Sequence, residues 1–374
     1  MKLLYKAMLL LISLVLLAGC WDQRQFKNFK LVLASGLDIT EDGKVKSTVV
    51  ISNVEGGNQG SGREQVQVVN AVGSTSLDTR TIIDQKISKR YDASKLTVLL
   101  LGEKLARTDI YPFLDMFYRD PKSNLHSRLA VLGGSVEEAL SLKIPGEPRI
   151  SEYINGMLTG EISSTHTPDN NIQLVCAELL EPGQDFVLPY LTVNKEEGFL
   201  QYQGLALFKE KTFTGSVLTP QRSVLYLLMK GKRGSDAFLT KKVSDNGKTE
   251  TENFITIDVK EIKRKLNINV NNGAPSVDMD LTFKVDIMEF PPDSLNRLKK
   301  VRELESKLSA NLTEEAESLF AQLQEAGSDA FGIGRRVKAF HPEVWKSLDW
   351  NTVYPELSIK PDIKVEVQSH GIIN

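Results

Sequence analysis

VDMDLTFKVDIMEFPPDSLNRLKKVRELESKLSANLTEEAESLFAQLQEAG, Val277 to Gly327, holds the two periodicities that decide the fold. Its first third alternates, with Met279, Leu281, Phe283, Val285 and Ile287 apolar and polar residues between them. Side chains two apart share one face of a β-strand, so this segment predicts a sheet buried on one side. Past Pro291-Pro292 the period changes. Leu298, Val301, Leu304, Leu308, Leu312, Leu319 and Leu323 recur at threes, fours or doubled steps before Gly327, which is the spacing of one helix face. A proline pair suits the approach to a helix and a glycine suits its end. Unbroken from Leu298 to Ala326, the helix would run roughly 40 Å. A coiled-coil partner calls for more heptads than this run supplies. The stripe is therefore read as one amphipathic helix laid across the sheet beside it. Sheet and covering helix together put the chain in the mixed α/β (α+β) class.

Upstream of Val277, Ile255 to Ile262 and Leu266 to Asn271 read as strands, preceded by a polar stretch from Lys230 to Glu252. Gln221 to Met229 reads as a short helix, and Tyr202 to Lys209 with Phe213 to Leu218 as a hairpin turning at Glu210-Lys211. Further back, strands alternate with helices. Phe29 to Ile39 and Val45 to Val54 are strands, the second pairing with whatever follows the glycine-rich connector Gly56 to Gly62. Ser76 to Lys89 is helical, with Leu77, Ile83 and Ile87 on its inner side. Leu96 to Gly102 is continuously apolar, the mark of a strand buried on both faces. Short helices over Glu103 to Ala106 and Tyr111 to Arg119 precede a strand at Arg128 to Leu132. Ser135 and Glu138 then form a capping box. The expected division is a leader over 1–19, an N-terminal α/β domain over 20–195, a small middle domain over 196–262 and a C-terminal α/β domain over 263–374. The last of these closes, after an irregular stretch carrying Trp345 and Trp350, with a strand at Ile363 to Val367.

The leader is a lipoprotein signal. Lys2 and Lys6 precede an apolar run from Ala7 to Leu17, and Leu17-Ala18-Gly19-Cys20 follows at once. A basic start, a short apolar stretch and small residues before a cut site describe a secretory signal. The run falls short of the about 20 residues that a membrane-spanning helix takes. Cysteine right after the small pair is the pattern of a bacterial lipobox. The expected product is cut before Cys20, whose thiol carries a diacylglycerol and whose new amine takes a further acyl chain, enough for stable anchoring. Trp21, next in line, suits a membrane interface, although packing back onto the protein would serve it equally.

At 41% hydrophobic and 25% charged residues, the chain is neither disordered nor polytopic. A formal net charge of −2 gives no electrostatic case for nucleic acid. Cys176 stands alone once Cys20 is acylated, in the apolar helical pattern Ile172 to Ala177, and is read as a buried small hydrophobe. His126, His166, His341 and His370 are scattered, with no histidine or cysteine at metal-ligand spacing. No phosphate loop and no nucleophile elbow occur. Gly332-Ile333-Gly334 with Arg335-Arg336 could cradle an anion, but a tight turn accounts for the glycines as well. Glu314, Glu315 and Glu317 read as the solvated face of the long helix. No catalytic residue and no cofactor is expected, and Cys20 is the single residue assigned a chemistry.

With these residues assembled, the chain resembles the Ger(x)C family of spore germination lipoproteins, the C subunits of nutrient germinant receptors. Gly19-Cys20-Trp21-Asp22-Gln23-Arg24 is similar to the family's lipobox and opening, with Gln25 where an acidic residue is usual. Lys95 to Leu105 resembles its apolar strand and Gly-Glu turn, and Gly204 to Lys209 resembles the hairpin that opens its second half. Asp329-Ala330-Phe331-Gly332-Ile333-Gly334, then Trp345 and the ending through Gly371, resembles its terminal signature. The resemblance implies three mixed α/β domains, each a sheet with packed helices. It implies partnership with two integral membrane subunits, an A-type and a transporter-like B-type, and a place on the outer face of the spore inner membrane, held by acylated Cys20. It implies no catalytic residue. The function expected is that of a non-enzymatic, lipid-anchored receptor subunit needed for germination. The alternative is a solute-binding lipoprotein that hands a nutrient to a transporter, for which two doubly wound lobes around a cleft would be expected.

Overall fold

The computed structural model describes residues 4–6, 8, 29–54, 64–271 and 273–371; Cys20 and Trp21 lie outside them. In chain order the elements are β1 (Phe29–Ile39), β2 (Val45–Val54), β3 (Glu64–Gly73), α1 (Ser76–Lys86), β4 (Arg90–Asp92), β5 (Val98–Gly102), α2 (Glu103–Ala106) and α3 (Tyr111–Arg119). Next come β6 (Arg128–Gly133), α4 (Val136–Leu140), α5 (Ile150–Ser163), α6 (Ile172–Leu180), β7 (Val187–Asn194), β8 (Phe199–Lys209), β9 (Thr212–Leu218) and α7 (Pro220–Met229). The remainder is β10 (Phe238–Lys242), β11 (Phe254–Asn271), β12 (Ala274–Glu289), α8 (Leu298–Glu325), α9 (Ile333–Phe340), α10 (Pro342–Ser347), α11 (Trp350–Val353) and β13 (Ser358–Ser369).

The apolar strand β5 is buried along its whole length, as its composition predicts, and sits inside a sheet ordered β3-β2-β1-β5-β6-β7-β8-β9, with β4 also on β1. Its parallel centre, β1, β5, β6 and β7, needs helical crossovers, and these supply cover on both faces. Ile83 of α1, Leu114 and Phe117 of α3 and Ile172 and Val175 of α6 pack on one face. Val136 and Leu140 of α4 and Ile154 and Leu158 of α5 pack on the other. The α1 stripe is narrower than expected, since Leu77 is 56% exposed. Only half of the capping box forms: Ser135 Oγ accepts from the Glu138 amide, while Glu138 pairs with Lys195.

The second sheet is ordered β10-β11-β12-β13, with β13 parallel to β12. The two strands read upstream of Val277 are one, β11, bent by a bulge between Val259 and Glu261. The alternation in β12 buries Met279, Leu281, Phe283 and Val285. Helix α8 covers that face with Leu304, Leu308, Leu312, Ala316, Leu319, Phe320 and Leu323, each fully buried Leu or Phe contributing about 1.5–3 kcal/mol gross. Leu298, at the first turn, is 64% exposed, so the apolar stripe begins later than its sequence period. The same helix serves β13, an edge strand. Ile363 N–H, Val365 N–H and Val367 N–H donate to Thr313 Oγ1, Ser309 Oγ and Glu305 Oε1 at 3.0, 2.9 and 2.8 Å.

The sheets thus divide the chain differently from the sequence. Position 195/196 falls in the turn between the paired strands β7 and β8, and 262/263 falls inside β11. The β8–β9 hairpin, read as opening a middle unit, extends the first sheet by antiparallel pairing. Its Leu205, Leu207 and Leu218 join the second core. Among the described residues there are two sheets, and the strands of the expected middle unit are shared between them. The stretch around Trp345 and Trp350, read as irregular, forms α9, α10 and α11.

Candidate functional site

The residues singled out from sequence do not converge. Cys20 lies outside the described residues. His166 Nδ1 is 2.7 Å from Glu161 Oε2, and His370 Nδ1 is buried without a hydrogen-bond partner among the described residues. Among the described residues no three His, Cys, Asp or Glu side chains gather as metal ligands. Cys176 is half-buried, where a buried site was expected, and lies beside the Tyr118 hydroxyl. In the glutamate cluster singled out on α8, Glu314 and Glu317 face solvent while Glu315 receives Lys241 Nζ of β10 at 2.7 Å.

Convergence occurs instead where the first sheet meets the second core. Asp185, just before β7, and Asp329, just after α8, hold one another: the Asp329 amide donates to Asp185 Oδ2 at 2.7 Å and the Asp185 amide to the Asp329 carbonyl at 3.0 Å. The other Asp185 oxygen accepts from the Glu210 amide in the β8–β9 turn at 2.5 Å. Asp329 Oδ1 accepts from Ile333 N–H at 2.9 Å, and Oδ2 from Gly334 N–H at 2.7 Å and Trp350 Nε1–H at 3.1 Å. The anion cradle suggested by Gly332-Ile333-Gly334 is real in form, and the chain fills it with its own carboxylate. Beside it, the Arg335 amide donates to Gly183 O at 2.7 Å. A Cβ on Gly334 would lie 2.5 Å from Trp350 Nε1, so this approach is open only to glycine.

Around this node the next carbonyl, Ala330 O, accepts from Tyr226 OH at 3.0 Å and from Lys230 Nζ at 2.7 Å. Phe331 packs between Tyr226 and Phe320, with ring centroids at 5.2 and 4.8 Å. Four separate elements of the fold are therefore tied to the turn between α8 and α9. An open cleft of about 470 Å³ adjoins the node, lined by Glu178, Gln184, Glu210, Trp345 and Asn351 among others.

Burial dominates the electrostatics. It pushes the Asp329 carboxyl up to about 7, against the amides of Gly334 and Ile333, and the nearby Asp185 charge adds to the rise. Burial likewise takes Asp185 up to about 6, opposed by the Glu210 and Asp329 amides. Lys230 is pushed down to about 8, and Glu178 upward, both by burial. Every oxygen of the aspartate pair is spent on the protein's own donors. What this arrangement does chemically is fasten one half of the chain to the other, through groups whose charge can change near neutrality.

Sequence reasoning quoted the Asp329–Gly334 stretch without seeing its role. Asp185 carried no signal, since its partner lies 144 residues away.

Two family descriptions match the chain. "Spore germination protein N-terminal domain" covers residues 22–193 and "Spore germination B3/GerAC like, C-terminal" covers 203–371. The gap between them brackets the 195/196 division. Spore germination protein GerQC of Bacillus cereus is 24% identical over 97% of this chain and 98% of its own length. Spore germination protein KC of Bacillus subtilis is 25% identical over 98% and 96%, and spore germination protein B3 of the same species is 22% identical over the whole of both. The crystal structure of the GerBC protein superposes over 92% of this chain and 99% of that one, with TM-score 0.58 and 19% identity.

Proposed function

Because this chain belongs to the GerAC-like family of spore germination proteins across both of its halves, we propose that it is a non-enzymatic, lipid-anchored subunit of a nutrient germinant receptor. In this reading it works by contact, holding its surfaces beside integral membrane partners of the A and B types on the outer face of the spore inner membrane. The observation that carries the reading is the ordered match of both family descriptions, the first beginning at residue 22, two residues past Cys20.

Other features support it. No helix among the described residues is long and apolar enough to cross a membrane. The conspicuous polar cluster, Asp185 with Asp329, ties the two halves together, and each of its carboxylate oxygens already accepts from a donor of the chain. The alternative of a solute-binding lipoprotein fits the topology poorly, since one mixed sheet continues through β9 in place of two separate doubly wound lobes.

The test is Cys20→Ala in a sporulating strain that depends on this chain. The expected result is loss of lipid label, release of the protein from spore membranes or retention of its leader, and a weakened response to nutrients. A variant that remains lipid-labelled and membrane-bound would refute the anchor. Tight binding of one nutrient by the purified chain, seen by calorimetry, would move the reading to the solute-binding alternative.

A further inference from the structure

A cleft of about 790 Å³ opens at the edge where β4 meets β1, lined by Phe29, Arg80, Asp84, Lys89, Arg90, Tyr91, Asp120 and Lys122 among others. Its acids are already engaged. Asp120 pairs with Arg80 at 2.7 Å and accepts from the Lys122 amide at 3.0 Å, and Asp84 accepts from the Tyr91 amide at 2.7 Å. Asp92 accepts from the Ser94 amide at 2.8 Å. Arg80 lies over the Tyr91 ring at 4.8 Å. Lys89, Arg90 and Lys122 differ: all three are exposed and make no ion pair among the described residues. The cleft therefore presents three cations outside any ion pair, against three carboxylates, of which Asp120 is paired with Arg80 and also feels the Lys122 charge.

Its position matters as much as its charge. Phe29 pairs in register with Arg90, so Arg90 sits beside the point where the chain arrives from Cys20. Cys20 is nine residues before Phe29, and nine residues span at most about 32 Å. Between them lie Arg24 and Lys27 against the single acid Asp22. Basic groups act on a charged bilayer only within a Debye length, about 8 Å at physiological salt. A tether of this length lets the cleft reach that range and holds it at high effective concentration beside the bilayer.

We propose that this edge is the membrane-facing surface of the chain, and that Lys89, Arg90 and Lys122 receive the phosphates of anionic phospholipid headgroups. The inference rests on acylation of Cys20. Exposed, flexible cations around an open cleft hold one free phosphate weakly, whereas a headgroup layer engages all three at once. Docking there would fix the rotation of the first sheet about its tether and so determine which surfaces face the membrane partners.

The test uses the full acylated chain in vesicles of phosphatidylcholine alone or with about 30% phosphatidylglycerol, followed by amide hydrogen exchange. Exchange across residues 86–94 and 119–124 is expected to be about tenfold slower with phosphatidylglycerol and to return to its former rate in high salt. Lys89→Gln/Arg90→Gln/Lys122→Gln should lose this slowing, while Lys89→Arg/Lys122→Arg, which keeps the charge, should retain it. Equal exchange in both vesicle types, or slowing that survives the triple substitution, overturns the proposal. So does equal slowing by inorganic phosphate without vesicles, which would mark a site for a soluble anion. Flotation with pure phosphatidylcholine and the mass of the Cys20 adduct report on the anchor separately. A chain that floats but shows no dependence on lipid charge sinks the headgroup contact alone. A chain without lipid sinks both.

Discussion

Asp185 and Asp329 exchange a reciprocal pair of hydrogen bonds, side chain to amide one way and amide to carbonyl the other, across 144 residues of sequence. Both carboxylates are buried, and between them they accept five hydrogen bonds, from four amides and one indole. Buried donors stripped of an acceptor cost about 1–3 kcal/mol each. Asp329→Ala would strand Ile333 N–H, Gly334 N–H and Trp350 Nε1–H together. The expected loss is at least about 3 kcal/mol in urea unfolding, with Trp350 fluorescence shifting toward that of a solvated indole. A variant within about 1 kcal/mol of wild type would show that the node is not what fastens the halves.

The same pair makes stability depend on pH in a defined window. An acid whose folded pKa is raised keeps a proton in the folded state that the unfolded chain has already released, so its contribution to stability declines as pH rises through the folded value. For Asp185 and Asp329 the decline runs from above the ordinary 3.8 to about 6 and 7, with no further slope above that. Carboxylates lowered by partners, such as Asp120 and Glu103, act below about pH 5 and leave the upper part of the window clear. Lys230 works in the opposite sense, its stability penalty easing between about 8 and 10.5. Unfolding free energies from urea titration should therefore fall between pH 5.5 and 7.5, by about 2 kcal/mol. Asp329→Asn should flatten that fall. A slope equal in wild type and variant would remove Asp329 as its source.

What was legible in the sequence was whatever repeats locally. The alternation of β12, the run of leucines in α8 and the uninterrupted apolar β5 each announce an element, because burial on one face forces a period on the chain. The single strand β11 was cut in two because the cationic run Lys263-Arg264-Lys265 interrupts its apolar residues while the pairing with Thr282, Leu281 and Asp280 carries on. Where one sheet ends and the next begins is hard to read for a related reason. A hairpin such as β8–β9 reads the same whether it begins a new sheet or extends an old one, and only the pairing of Val187 to Asn194 with β8 decides. The junction was the least legible. The glycines of the α8–α9 turn looked like a site for an outside anion, and nothing in their spacing said that Asp329, three residues before Gly332, would supply the charge from within.

Two glycines separate close approach from mere flexibility. A methyl group at Gly334 would lie 2.5 Å from Trp350 Nε1 and 2.6 Å from Trp350 Cε2, so Gly334→Ala must displace a buried indole. Overpacking of this kind costs about 1–3 kcal/mol. Gly160 sits in the interior of α5 with nothing within 4 Å of the added carbon. Gly160→Ala should therefore stabilise the chain by about 0.5–1 kcal/mol through helix propensity. Thermal unfolding of the two variants should move in opposite directions. A shared direction would mean that the turn tolerates a side chain and that Trp350 is not held by contact with Gly334.

The edge strand β13 gives the last test, because its free side is satisfied by side chains and not by another strand. Steps of four along α8, from Glu305 to Ser309 to Thr313, advance about 6 Å. Steps of two along β13, from Val367 to Val365 to Ile363, advance about 6.6 Å. The near match lets three successive outward amides each meet an acceptor. Ser309 Oγ also donates to Glu305 O at 2.6 Å, which orients its lone pairs toward Val365. Removing the acceptors leaves the helix packed through its leucines but bares the strand's donors, the condition under which edges pair with other chains. Glu305→Ala/Ser309→Ala/Thr313→Ala should lose about 3 kcal/mol, accelerate amide exchange at Ile363, Val365 and Val367, and bring concentration-dependent association in light scattering. Ser309→Ala alone should cost about 1 kcal/mol, with the exchange change centred on Val365. If the triple variant keeps slow exchange at all three amides and stays monodisperse, the helix is not what shields this edge.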